Sequence, residues 1–388
     1  MKLKTIDNLK VLIVLPGFPL DINSIKGGVH AAVSNLLHGF LSKDICIRVL
    51  SFNNDIVSRQ VFKFSDSIEI VYEPEGPFPF HSLNYLFKGS IILKNNIKEF
   101  KPDILHFQTG NTLMFTRLFG TLGLKSILTI HAFAFEELKT KTSIKDKVTF
   151  WFNGFINDLL PIKNIVYISE SSKQKHFSKK INNAALIPNA LRPAYFNIPL
   201  SNKTQNQLLY IGVINNRKNL IHLLQTISRL QDENIFFTLN VLGGYKDKDY
   251  ENLIEDYMDN SKLKNYVHFR GWVNQDDAIN YIADSNILVI PSFQETLPMV
   301  IAENMAAGKV IVSSAVGGIP EMIEHQQNGF LFNLSDTHAL YNILKLLYHN
   351  DQLVINIGKK AKEFAVSGYH CNEVAEKTIG FYQQVLNS

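Results

Sequence analysis

Short runs rich in Val, Ile and Leu alternate along this chain with longer segments of helical period, and the alternation is sustained over almost its whole length. The strand runs of the first half are Lys10–Leu15, Ile45–Ser51, Ile68–Tyr72, Asp103–Phe107, Ser126–His131 and Ile165–Ser169. They are nearly continuous in apolar character, so both faces must be covered, which describes parallel strands in an α/β protein flanked by helices on each side. The intervening segments supply those helices. From Val29 to Leu41, the residues Val29, Ala32, Val33, Leu36, Leu37 and Phe40 fall near the i, i+3, i+4, i+7 spacing of one buried face. Helices are also expected over Lys88–Glu99, Thr112–Thr121, Ser143–Leu160 and Glu170–Lys180.

The theme breaks once. Ile187-Pro188-Asn189-Ala190-Leu191-Arg192-Pro193 and the polar stretch Ser201–Gln207 interrupt it, as a linker between domains does. Strands then resume at Gln207–Val213, Phe236–Leu242, Val267–Arg270, Asn286–Pro291 and Val310–Ser314, separated by helices Leu220–Leu230, Lys248–Asn260, Asp276–Ala283 and Pro298–Ala307. Two Rossmann-like domains facing a cleft are expected, 1–195 and 196–368. A terminal segment, 369–388, holds a helix (Tyr369–Leu386) that packs through Val374, Ile379, Phe381, Tyr382 and Val385.

Composition narrows the functional classes. At 388 residues with 46% hydrophobic and 19% charged side chains, the chain has enough apolar surface for two cores and none of the bias of a disordered protein. A net charge of +4 is too weak to imply nucleic-acid binding. Its distribution is uneven: residues 1–195 carry 24 basic and 15 acidic side chains, residues 196–388 carry 15 and 20. Cys46 and Cys371 lie far apart in sequence, which excludes a disulfide framework or a cysteine-only zinc site and suits a reducing, cytoplasmic setting. The apolar run Val11–Leu15 ends at Pro16-Gly17, far short of the ~18–20 residues of a membrane span. Membrane contact is therefore expected to be peripheral.

In open parallel sheets, ligands bind beyond the carboxyl ends of the strands. The first such loop leads to Gly27-Gly28 at a helix start, where the backbone can approach an anion closely. Its spacing is not the G-x-G-x-x-G of dinucleotide-binding enzymes, which disfavours a dehydrogenase. After Asn286–Pro291 comes Pro291-Ser292-Phe293-Gln294-Glu295-Thr296-Leu297-Pro298-Met299-Val300-Ile301-Ala302-Glu303-Asn304-Met305-Ala306-Ala307-Gly308. A helix is expected to begin almost at Glu295, its free N–H groups facing the crevice, with Gly308 just past its end. Glu303 is a lone carboxylate in an apolar helix and needs a partner, because an unpaired buried charge is costly. The loop Ala315-Val316-Gly317-Gly318-Ile319-Pro320-Glu321 opens a second helix at the same surface, and Arg217-Lys218 place adjacent cations there.

Taken together, these residues resemble family 4 of the retaining, nucleotide-sugar-dependent glycosyltransferases (group 1), which have the two-Rossmann-domain GT-B fold. Glu295 and Glu303 match its E-x7-E signature within P-S-x-x-E…E-x-M-A-x-G, and Gly317–Glu321 match its G-G-x-P-E. Arg217-Lys218 match its phosphate-binding element, Ile187-Pro188-Asn189 its I-P-N, and Thr129-Ile130-His131 its T-x-H, while Gly27-Gly28 resemble its glycine loop. The likeness covers most of the chain and is strongest over 207–332. It implies that Glu303 accepts hydrogen bonds from the nucleotide ribose, that Glu295 contacts the donor sugar, and that Lys218 with Arg217 neutralises the diphosphate. Gly27 and Gly28 would admit the backbone to that diphosphate, His131 would orient the reacting sugar, and Thr296, Leu297, Pro298 and Met299 would lie beside the donor. Three positions depart from the family pattern: Val213 stands where an arginine is frequent, Glu295-Thr296-Leu297-Pro298 replaces E-G-F-G, and His106-Phe107-Gln108 replaces H-x-H.

The implied activity is metal-independent transfer of a hexose or N-acetylhexosamine from a UDP-sugar, in preference to a GDP-sugar, to a glycan or lipid-linked acceptor, without a cofactor and with the last helix crossing back to the first domain. A GT-B nucleotide-sugar 2-epimerase and a non-catalytic GT-B partner are the rival readings; the E-x7-E context argues against the first and the retained Glu295, Glu303, Lys218 and His131 against the second. Nine lysines between 139 and 180, interleaved with Phe150, Trp151, Phe152 and Phe155, make that stretch a candidate dock for an anionic membrane surface.

Overall fold

The computed structural model describes residues 8–21, 28–74, 81–116, 118–131, 163–174, 181–200 and 206–388. They form two compact units. The first runs to Ala190 and is completed by Cys371–Ser388; the second is Leu191–His370.

The first unit is built on a sheet of β1 (Leu9–Pro16), β2 (Ile45–Asn53), β3 (Gln60–Lys63), β4 (Ile68–Pro74), β5 (Ile104–Phe107), β6 (Lys125–Ile130), β7 (Asn164–Tyr167) and β8 (Asn183–Leu186). The spatial order is β3-β4-β2-β1-β5-β6-β7-β8. Every neighbouring pair is parallel except β3 with β4, which is antiparallel at the edge. The apolar runs do what their continuity requires. On β1, Val11, Ile13 and Leu15 enter one core while Leu12 and Val14 enter the core on the opposite face, as a two-residue period dictates.

Two helices close the first of these cores. In α1 (Gly28–Phe40), Ala32, Val33, Leu36, Leu37 and Phe40 are buried, the face read from the spacing. Against it packs the last helix of the chain, Cys371–Asn387, through Val374, Ala375, Ile379, Phe381, Tyr382 and Val385. The two helices cross so closely that a methyl group at Gly39 would stand 2.2 Å from the Cys371 carbonyl oxygen. The longer α2 (His81–Phe100) covers the other face with Leu93 and Ile97.

The second unit holds β9 (Gln207–Ile211), β10 (Thr238–Leu242), β11 (Val267–Gly271), β12 (Ile287–Ile290), β13 (Val310–Ser314) and β14 (Phe330–Phe332), in the order β11-β10-β9-β12-β13-β14. All its pairs are parallel. Leu208 and Tyr210 of β9 serve one core and Leu209 the other. The helices α3 (Leu220–Gln231), α4 (Lys248–Asn260), α5 (Gln275–Asp284), α6 (Met299–Ala306), α7 (Ala339–Tyr348) and α8 (Asp351–Tyr369) complete it; the terminal helix of the first unit is α9.

Three departures from the sequence expectation have local causes. The segment 112–121 forms only a turn of helix at Gly110–Leu113 and a 3-10 turn at Met114–Thr116, because Gly120 and Gly123 adopt positive φ and turn the chain. Helix α6 starts at Met299, not near Glu295: Pro298 holds an extended conformation and the residue before a proline avoids the helical region. The helix after Gly318 is a single turn, Ile319–Met322. The expected helices over 143–160 and 175–180, most of the 139–180 lysine stretch and Gly27 lie outside the described residues. Among the described residues, no helix is long and apolar enough to cross a membrane.

Candidate active site

In the second unit, sheet order decides which loops meet. Strands β9, β12 and β13 are neighbours, so the segments leaving their carboxyl ends come together. The first is a 3-10 turn, Asn216–Lys218, whose start is fixed by the Asn215 side chain accepting from the Lys218 amide at 3.1 Å. From this turn Lys218 Nζ reaches Glu295 Oε1 at 2.5 Å, and Ser292 Oγ donates to the same oxygen at 2.7 Å. Glu295 is only 8% exposed, so the pair is largely withdrawn from water. Both bonds fall on Oε1.

The backbone around Glu295 is held as firmly as its carboxylate. Arg217 Nη1 donates to the Gln294 carbonyl at 3.2 Å, and the Phe293 amide donates to the Arg217 carbonyl at 2.8 Å. From the third loop, the Gly318 amide donates to the Thr296 carbonyl at 2.8 Å. Gly317, at φ +59, lies against Glu295 so tightly that a Cβ there would stand 1.7 Å from the Glu295 carbonyl oxygen. Segment 292–297 is therefore a clasped loop, not the first turn of a helix. Leu297, Pro298 and Met299 continue it into α6.

Glu303 sits inside α6 and has the partner its apolar surroundings demand. Burial pushes its carboxyl up to about 7; a hydrogen bond from the Tyr195 hydroxyl and the positive charge of Arg192 act in the opposite direction. Tyr195 belongs to a short helix, Pro193–Phe196, and is itself buried. The Arg192 guanidinium pairs with Asp276 at 2.6 Å and lies over the Tyr195 ring at 5.7 Å.

The first unit carries a second polar cluster, at the ends of β5 and β6. His131 Nε2 bonds to Gln108 Oε1 at 2.9 Å, and Gln108 Nε2 lies 3.2 Å from His106 Nε2. His106 is buried, with Thr129 Oγ1 2.7 Å from Nε2 and the Tyr382 hydroxyl of α9 2.7 Å from Nδ1. These groups line a cavity of about 30 Å³ together with Asn189 and apolar side chains of α1 and α9. Burial lowers His106 to about 3, and the neighbouring His131 adds to the effect. Burial lowers His131 to about 4, opposed by the Asn189 side chain. Both rings are therefore neutral at physiological pH. Gly28, at the start of α1, has none of the described residues within 4 Å of where a side chain would begin.

The structure thus brings Arg217, Lys218, Glu295 and Thr296 into one cluster with Gly317, and seats Glu303 on the following helix. Sequence reasoning missed Ser292, Tyr195 and Gln108. The need for a partner at Glu303 signalled the second, and the departure at His106-Phe107-Gln108 marked the third.

Two Rossmann-like units, the second with a carboxylate-cation cluster at its strand ends, have the architecture of the GT-B glycosyltransferases. Residues 191–364 match the family of Glycosyl transferases group 1. It is 25% identical over 315 residues to the UDP-Gal:alpha-D-GlcNAc-diphosphoundecaprenol alpha-1,3-galactosyltransferase of Escherichia coli, covering 76% of this chain and 79% of that one. Among solved structures, the sucrose-phosphate synthase of Thermosynechococcus elongatus superposes with a TM-score of 0.78 at 18% identity, over 98% of this chain and all of the other (100%). Anabaena HepE in complex with UDP-glucose gives 0.70 at 15% identity, over 97% and 100% of the two chains.

Proposed function

We propose that the protein is a retaining glycosyltransferase that moves a hexose or N-acetylhexosamine from a UDP-sugar to a glycan or lipid-linked acceptor in the assembly of surface polysaccharide or glycolipid. One observation carries the donor half of this reading: a lysine and a carboxylate, largely withdrawn from water, meet at 2.5 Å at the carboxyl ends of adjacent parallel strands. In the ligand-bound enzyme, Lys218 and Arg217 face the departing diphosphate, where a fixed positive charge stabilises the charge that develops in the transition state. That arrangement requires no metal and no other cofactor. Glu295 then accepts from hydroxyls of the donated sugar, Glu303 from the ribose, and His131 accepts from a sugar hydroxyl. Preference for UDP over GDP is supported by the donor named for the Escherichia coli relative and by the nucleotide held by HepE.

The bond from the anomeric carbon to the diphosphate oxygen breaks, and a new bond to the acceptor hydroxyl forms on the same face of an oxocarbenium-like centre. The acceptor proton leaves with the diphosphate oxygen, so no enzymic nucleophile enters. A lipid-linked acceptor presented at an anionic leaflet suits the lysine-rich stretch 139–180. The test is turnover of a panel of UDP- and GDP-sugars with a polyprenyl-diphosphate-linked glycan, the product anomer being read by NMR. A product with the donor's anomeric configuration, made by the wild type and lost at least a hundredfold in Glu303→Ala while that variant still unfolds cooperatively, is expected. An inverted product, full activity in the variant, or C2 epimerisation without acceptor would overturn the proposal.

A further inference from the structure

We propose that Gln108 is a positioning residue for His131: its amide oxygen takes the Nε2 proton of His131 while its amide nitrogen donates to His106, so the His131 ring is fixed with Nδ1 unprotonated. This rests on the reading of His131 as a group that touches the donated sugar, and it adds which nitrogen does so and what holds it there.

The argument runs inward from the protein's core. A neutral imidazole has one proton, and the nitrogen that carries it is set by the partner of the other. His106 lies in the sheet with its Nδ1 2.7 Å from the Tyr382 hydroxyl and its Nε2 within reach of both Thr129 Oγ1 and Gln108 Nε2. An amide nitrogen only donates, so His106 Nε2 accepts and its single proton sits on Nδ1, donated to Tyr382. With its nitrogen committed to His106, Gln108 turns its oxygen to His131. An amide oxygen only accepts, so His131 Nε2 carries the proton across the 2.9 Å contact. Its Nδ1 keeps a lone pair and is buried, with no partner of hydrogen-bonding geometry among the described residues. An acceptor held in that state recognises a hydroxyl group, the most abundant donor a hexose offers. Among the described residues, the titratable groups lining this cavity are His106 and His131, with the Tyr382 hydroxyl behind His106, and no charged side chain lines it. The Asn189 side chain, which also acts on His131, is neutral, so neither of these amides carries a charge that would protonate the ring.

The tautomer can be read without turnover. In the full chain with 15N-labelled histidine, the His131 signals, assigned by their loss in His131→Asn, are expected to show a protonated Nε2 and a bare Nδ1 in long-range 1H–15N spectra. A protonated Nδ1 would overturn the proposal. Gln108→Leu, which keeps the bulk and removes both bonds, is expected to give mixed tautomers and to lower kcat by about tenfold to a hundredfold with the donor KM within about twofold. Gln108→Glu places a carboxylate against the Nε2 proton and favours the imidazolium, so a new acidic limb is expected in the pH-rate profile, activity falling as pH drops through neutrality. Unchanged spectra in Gln108→Leu, or a pH profile identical to wild type in Gln108→Glu, would overturn it. Should the protein prove to transfer no sugar at all, the proposed activity fails while the tautomer assignment is still decided by the spectra.

Discussion

Glu303 shows how a single carboxylate can be both disfavoured by its surroundings and kept there. Its burial raises its folded-state value from 4.5 to about 7, so the folded protein binds a proton in a range where the unfolded chain has released it. The sign follows: stability is lost as pH rises from about 4.5 to about 7, and the loss, on the order of 3 kcal/mol, is then constant at higher pH. Glu303→Gln removes that penalty. Urea titrations at pH 5 and pH 8 are expected to show the variant close to wild type at the lower pH and more stable at the higher one; equal differences at both would show that the carboxylate is not buried as described. The apolar composition of the helix around Glu303 announces that a partner is needed, yet it does not identify Tyr195, which lies far upstream and meets Glu303 only once α6 packs on the turn at Pro193–Phe196. Gln108 was similarly visible as an unusual residue at its position, but its role depends on a rotamer set by His106 and on a helix from the other end of the chain.

At the scale of elements, Gly317 of the second unit and Gly28 of the first have opposite reasons for being glycine. Gly317 has a positive φ and no room for a side chain, whereas a Cβ at Gly28 would meet none of the described residues within 4 Å. Gly317→Ala is expected to cost at least about 2 kcal/mol in denaturant unfolding, through backbone strain and displacement of the 292–297 loop. On the proposed function, Gly28→Ala should stay within about 0.5 kcal/mol of wild type yet lose transfer, since the diphosphate would approach the backbone there. A large stability loss in Gly28→Ala would remove that distinction. Most strands and long helices were legible because each is a sustained period. The exceptions were weak for identifiable reasons: β3 is an exposed edge strand, β8 is Asn-Ala-Ala-Leu with no β-branched residue, and β14 is three residues long. The start of α6 was misplaced because the clasp on 292–297 is made by loops distant in sequence, and no local signal reports them.

On the scale of the whole molecule, the first unit is discontinuous: its core is closed by residues that follow the entire second unit. Deleting 371–388 is expected to collapse hydrogen-exchange protection in β1 to β8 while leaving β9 to β14 protected, because the second unit's cores contain none of those residues. Retained protection in β1 and β2 would show that α9 is an accessory to that core. The close crossing at Gly39 has the same implication, since a side chain there would collide with the start of α9. During synthesis the ribosome releases β1 to β8 first, but the side chains of α9 that cover them leave the exit tunnel only after the whole second unit. The contiguous second unit can reach its final packing while the earlier strands still present an uncovered apolar face, so the order of maturation runs against the order of translation. A nascent chain of this protein therefore spends the synthesis of half its length in need of protection for the part that was made first.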